Sequence, residues 1–285
     1  MNYQERLTMT SLSQKNLINL AKRNEANGDL AQAIQNLEEA LRDGHSDEVV
    51  LNLCELYIKN KQSYSAYELI KEEKDLFTNS KIFAEYIKIL KKNNFFIEAL
   101  EIKNVTKYEL SDSVEPVSSE LQQKIMVAFR KKSKPTKYDY EQLFKLDLSN
   151  FKNFAQSLLI DPSLNFAVRL VLCEDLFRLG LSSKFKVLVL GQKEEFIPKK
   201  INLLEKDPVY REVVSGIGSR YYHRPSQIPA VLGEVNLILG SLYPKLNKYV
   251  DDPDSFASDI ASYIDNHDGR SNQKLFEKID NNISE

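Results

Sequence analysis

The residues able to carry out chemistry are few. Histidine occurs at His45, His223 and His267 only. None of them stands at metal-ligand spacing from another histidine or from a cysteine. A structural zinc site needs about four clustered N or S ligands, so the expectation is no metal and no other cofactor. The cysteines are Cys54 and Cys173. Each lies inside an apolar run of helical period, which predicts two buried structural thiols rather than nucleophiles. No phosphate loop, dinucleotide fingerprint or nucleophile elbow is written in the chain. Gly216-Ile217-Gly218 stands alone and reads as a bend or a close helix contact. Asp251-Asp252-Pro253-Asp254 lacks the ligand spacing and glutamate of a calcium loop. Carboxylates at a helix N-terminus account for it. No catalytic residue is assigned, and a non-enzyme is expected.

Two basic clusters remain. The run 130–137 holds five basic residues and Pro135. It reads as a solvated linker or as a phosphate contact. The second combines Arg220, Tyr221, Tyr222 and Arg224, a composition found at binding hot spots. The formal net charge of the whole chain is -2. Nucleic acid is therefore not expected as the main partner, because phosphate binding needs a strong positive field.

The elements that would position a binding face are helices. Apolar residues make up 42% of the chain and Gly and Pro number nine each. That supports a continuous core and argues against a many-turned all-β fold. A 33-residue period runs through the first third: Ala33, Ala66, Ala99; Leu20, Leu53, Tyr86; Leu17, Val50, Phe83. Within each period the apolar residues fall on helical faces, with Leu17, Leu20 and Ala21 as the core face of the first helix. Breaks at Asn27-Gly28-Asp29, Asn60-Lys61-Gln62 and Asn93-Asn94 separate two helices per unit. The units are about 14–46, 47–79 and 80–110, within a first domain of 1–110.

The segment Gly28-Asp29-Leu30-Ala31-Gln32-Ala33-Ile34, ending in Ala40-Leu41, resembles the second half of a tetratricopeptide repeat. Leu17, Leu20 and Ala21 match its first-helix positions. The resemblance covers residues 14–110, and the second and third units drift from the pattern. It implies a superhelix whose concave groove is lined by the first helices. By family geometry the groove includes Lys15, Ile18, Lys22, Leu51, Asn52, Glu55, Ile58, Lys81 and Lys88. Some family members clamp a carboxylate terminus with five groove residues. Asn52 and Lys81 match two of these, whereas Ile18, Lys22 and Glu85 depart, so the resemblance implies no clamp. What it implies is a groove basic at its third-unit end and apolar at Ile18, Leu51 and Ile58. Such a groove suits a peptide or helix with an apolar stripe and an acidic end.

Beyond a polar linker at 111–117, a second, mostly helical domain is expected over 118–266. A helix is expected from Ser118 or Ser119 to Phe129, and another over 163–179, entered through Asp161-Pro162 and closed by Gly180. One small β-hairpin is expected near 185–198, turning at 191–194. Further helices open at Asp207-Pro208 and Asp252-Pro253, with one over 229–250, bent before Pro244, between them. A polar tail, partly helical or frayed, fills 267–285. Asp161–Leu172, Val187–Pro198 and Glu234–Leu237 with Leu242–Pro244 are similar to the C-terminal part of a cytoplasmic tetratricopeptide family of low-GC Gram-positive bacteria.

The fold class expected is thus mostly α: a tetratricopeptide-like helical-hairpin superhelix, then a helical C-terminal domain with one small β-hairpin. Met1–Leu12 carries no apolar run of a secretory signal, and no apolar run approaches the ~20 residues that span a bilayer. A cytoplasmic protein without membrane insertion is expected. Its function would be a scaffold or adaptor for another protein or peptide. The alternative is RNA or nucleoid association through 130–137 and 220–224.

Overall fold

The computed structural model describes residues 12–106 and 114–284. Residues 111–113 of the expected linker lie outside this range. The chain is mostly α-helical, with one two-stranded antiparallel sheet among the described residues. No helix among them is long and apolar enough to cross a membrane.

Six helices form three successive hairpins: α1 (Leu12–Ala26) with α2 (Leu30–Asp43), α3 (Asp47–Lys59) with α4 (Ser63–Lys71), and α5 (Ser80–Asn93) with α6 (Phe96–Thr106). Each turn holds one residue in the left-handed region: Gly28 (φ 81°), Lys61 (φ 61°) and Asn94 (φ 56°). The period of the apolar residues is therefore also the period of the backbone reversal. Ala33, Ala66 and Ala99 are all buried, which lets the paired helices approach closely.

The first helix is rolled relative to expectation. Its buried residues are Gln14, Ile18 and Ala21, whereas Leu17 is half-buried and Leu20 is 45% exposed. The cause is polar. The Gln14 amide donates to the Ala40 carbonyl at 2.9 Å and to the Gly44 carbonyl at 2.7 Å. Carbonyls at the end of α2 have no partner within their own helix, and satisfying them turns the 14/18/21 stripe inward.

The chain divides into two compact units. Of the described residues, 12–99 and 114–147 form one, and 100–106 and 148–284 form the other. This departs from a boundary at 111–117, because the segment after that break packs on the hairpins. It comprises α7 (Ser119–Arg130), the short α8 (Lys137–Glu141) and a 3-10 turn, Gln142–Lys145. Tyr138 meets Tyr64 edge-on with centroids 4.7 Å apart, and Phe144 meets Phe95 at 6.1 Å. Val117 N–H donates to the Lys145 carbonyl at 3.1 Å, and the Tyr64 hydroxyl donates to Glu141 at 2.5 Å.

The second unit contains α9 (Leu148–Leu159), α10 (Phe166–Arg178), β1 (Phe185–Val189), β2 (Gln192–Phe196), α11 (Pro208–Arg220), α12 (Ile228–Leu242), α13 (Leu246–Tyr249), α14 (Pro253–Asn266) and α15 (Gln273–Ser284). Helix α10 starts later than expected. Asp161 Oδ1 accepts from the Ser163 N–H and hydroxyl in a local turn, and the cap is Asn165, which accepts from Ala167 N–H at 2.8 Å. Asp207 and Asp252 do cap α11 and α14. The bend expected before Pro244 is a full break, which separates α12 from α13.

The hairpin turns at Leu190-Gly191, both with positive φ (48° and 75°), and not at 191–194. A two-residue turn of this hand matches the strand twist, and Phe185 pairs with Phe196. Gln156 of α9 pins β1 by exchanging two hydrogen bonds with the Lys186 backbone, at 3.0 and 2.9 Å. Gly216 marks a close helix contact: a Cβ there would lie 2.9 Å from Ala257 Cβ of α14. The expected polar tail contains α15, whose Phe276 and Ile279 are buried. Phe276 packs against Phe256 and Tyr263, with centroids 5.4 and 5.0 Å away. These apolar contacts hold α15 in the second unit.

Candidate partner-binding face

The candidate face belongs to the first helices of the hairpins. Lys15 and Lys22 of α1, Glu55 of α3, and Lys81 and Lys88 of α5 are exposed, while Leu51, Asn52 and Ile58 of α3 are half-buried. Ile18 does not join them. It is 5% exposed and belongs to the core shared with Ala33, Leu37 and Leu53, because the roll of α1 carries it inward. The apolar part of the face is therefore Leu51 and Ile58, seven residues apart and on one side of α3.

Its charge is more balanced than a count of lysines implies. Glu85, 4% exposed, is paired with Lys88 at 2.7 Å. Their hydrogen bond holds the Lys88 ammonium above the usual lysine range. Lys22 lies 3.6 Å from Glu48, and Lys59 lies 2.6 Å from Glu25. Lys15 and Lys81 make no ion pair among the described residues, and both are open to an incoming anionic group.

The second cluster is turned to a structural use. The Tyr221 ring is fully buried, and its hydroxyl donates to Asp265 at 2.9 Å. Arg224 donates to both oxygens of Asp265, at 3.3 and 3.0 Å, and stacks 4.4 Å from the Tyr221 ring. Arg220 donates to the side chain and the carbonyl of Asp254, each at 3.1 Å. These contacts staple the end of α11 to α14. Tyr222 (74% exposed) and His223 face outward, and Arg224 is exposed while it pairs with Asp265. In the 130–137 run, Lys132 lies 3.4 Å from Asp139 and Lys137 lies 3.9 Å from Glu141.

Cys54 and Cys173 are both buried and unpaired in a disulfide. Burial pushes the Cys54 thiol up to about 12 and the Cys173 thiol well above its ordinary value. Thiols so held stay protonated and are poor nucleophiles.

Two features were not legible in the residue spacing. One is a cleft of 620 Å³ in the second unit, floored by Phe196 and Tyr243, with Lys184, Lys200, Lys245 and Lys248 among its lining residues. Lys184 and Lys248 are paired with Glu195 and Glu194. The other is a cluster of His45, Asp47 and Glu73, whose ligand atoms all lie within 4.8 Å of one another.

No protein-family model, no curated protein and no solved structure matches this chain.

Proposed function

We propose that this chain is a tetratricopeptide-type repeat protein of the cytoplasm. In this reading it acts as a scaffold or adaptor that holds a peptide or helix of another protein against α1, α3 and α5. One observation carries the reading: the 33-residue period recurs in the apolar residues and in the left-handed turns at 28, 61 and 94. That repetition presents equivalent side chains from three successive first helices. The ligand would lay an apolar stripe on Leu51 and Ile58 and an acidic group near Lys81. Nucleic-acid binding draws less support, since Arg220, Arg224, Lys132 and Lys137 each contact a carboxylate.

The test is site-specific photo-crosslinking in cells from positions 51 and 81, with exposed Glu39 on α2 as the control position. The expected outcome is a discrete adduct from 51 and 81 that Lys81→Glu reduces and that is missing from 39. Identical adducts from all three positions would remove the face assignment. Lys88 is a poor site for charge reversal, because it would set a carboxylate beside buried Glu85.

A further inference from the structure

We propose that His45, Asp47 and Glu73 form a divalent-cation site where the two connections flanking the second hairpin meet, of a chemistry suited to zinc or manganese(II). The proposal stands independently of the partner-binding reading. His45 lies in the connection between α2 and α3, Asp47 opens α3, and Glu73 follows α4. His45 Nε2 is 2.8 Å from Glu73 Oε2, and one ligand atom from each of the three residues falls within a 4.8 Å span. Donor atoms bound at about 2.0–2.2 Å around a tetrahedral ion are separated by roughly 3.3–3.6 Å. The observed separations, 2.8 Å between His45 and Glu73 and at most 4.8 Å across the three residues, bracket that value. One imidazole nitrogen and two carboxylate oxygens suit zinc and manganese(II), with solvent completing the shell.

The electrostatics around the cluster point the same way. The Glu73 side chain is 6% exposed, yet its partner is only the half-exposed His45 imidazole. Asp47, Glu73 and the neighbouring Asp75 make no ion pair with a lysine or arginine among the described residues. Carboxylates therefore gather here without a lysine or arginine paired to them, and one of them is buried. The Asn79 amide donates to Asp47 Oδ2 at 2.7 Å and to Asp75 Oδ2 at 2.9 Å, fixing the orientation of a ligating carboxylate. Because the ligands come from both connections flanking the second hairpin, the ion would tie them together and raise the melting temperature.

The experiment uses the full chain stripped with a chelator, titrated with zinc chloride and with manganese chloride by calorimetry, alongside thermal melts. Glu73 is buried, and replacing it risks unfolding, so exposed His45 and Asp47 carry the test. The expected result is one equivalent bound, with a metal-dependent rise in melting temperature. His45→Ala and Asp47→Asn each weaken binding roughly tenfold or more and lose that rise. A double His223→Ala/His267→Ala variant binds as the parent does. Absence of saturable binding of either metal, binding unchanged in His45→Ala, or binding abolished in the double variant would each overturn the site.

Discussion

Glu98 is the most consequential buried charge in the first unit. It is 4% exposed and accepts hydrogen bonds from Tyr67 at 2.7 Å, Tyr86 at 2.5 Å and Lys71 at 2.5 Å. Burial, with Glu98 beside it, holds the Tyr67 hydroxyl far above the ordinary tyrosine range, so it remains a donor at any physiological pH. Leaving such donors without an acceptor costs more than the network contributes when intact. Glu98→Ala is therefore expected to destabilise the first unit by about 3–5 kcal/mol, read from the urea midpoint at constant slope. Glu98→Gln keeps one acceptor oxygen and is expected to cost less. A Glu98→Ala midpoint equal to that of the parent would mean the tyrosines find another partner. Nothing in the sequence singles out Glu98, because its partners come from α4 and α5 and share no spacing with it. The His45 cluster is hidden for the same reason. Asp47 is two residues from His45, but Glu73 is a full helical hairpin further on, and only folding brings it within reach.

Elements were far more legible than contacts. Both helices of every hairpin follow the apolar period, and all three reversals fall where glycine, lysine and asparagine hold one register. Lys61 is the outlier in that set, a lysine with no side-chain hydrogen bond among the described residues to favour its φ of 61°. The left-handed region costs a residue with a Cβ about 1–2 kcal/mol. Lys61→Gly is accordingly expected to stabilise the chain by up to ~1 kcal/mol once the entropy of glycine in the unfolded state is counted. Gly28→Ala is expected to destabilise by about 1 kcal/mol, and a Cβ there would touch nothing within 4 Å. That loss would be purely conformational. Thermal melts of the two variants, moving in opposite directions, are the check; shifts of the same sign would refute the shared backbone geometry. Polar contacts made the difference where elements were misplaced. Period alone puts Leu20 in the core, but the Gln14 amide seeking the carbonyls of α2 decides the roll of α1. In the β-hairpin, Leu190 reads as strand because it closes the β-rich run 185–190, yet it forms the turn with Gly191.

At the scale of the whole chain, the division into units follows aromatic contacts and not composition. A polar stretch near 111–117 has the look of a linker, and local composition is all that a boundary reading can use. What it cannot register is that Phe129, Tyr140, Leu143, Phe144 and Leu146 are buried, with Phe144 packed on Phe95 and Tyr138 on Tyr64. Burying each large apolar side chain contributes roughly 1.5–3 kcal/mol, and a whole domain is stable by only about 5–15 kcal/mol. Losing this segment should therefore remove much of the first unit's net stability. Two fragments separate the alternatives, 1–110 and 1–147. Both carry residues 100–106, which belong to the other unit, so any difference between them reports on the segment after the polar break. The expectation is a single cooperative thermal transition for 1–147, and for 1–110 either no cooperative transition or one at least ~10 °C lower. Circular dichroism against temperature reads this directly. Equal melting temperatures for the two fragments would mean that the aromatic contacts at Phe95 and Tyr64 contribute no stability, and that the three hairpins suffice as a folding unit by themselves.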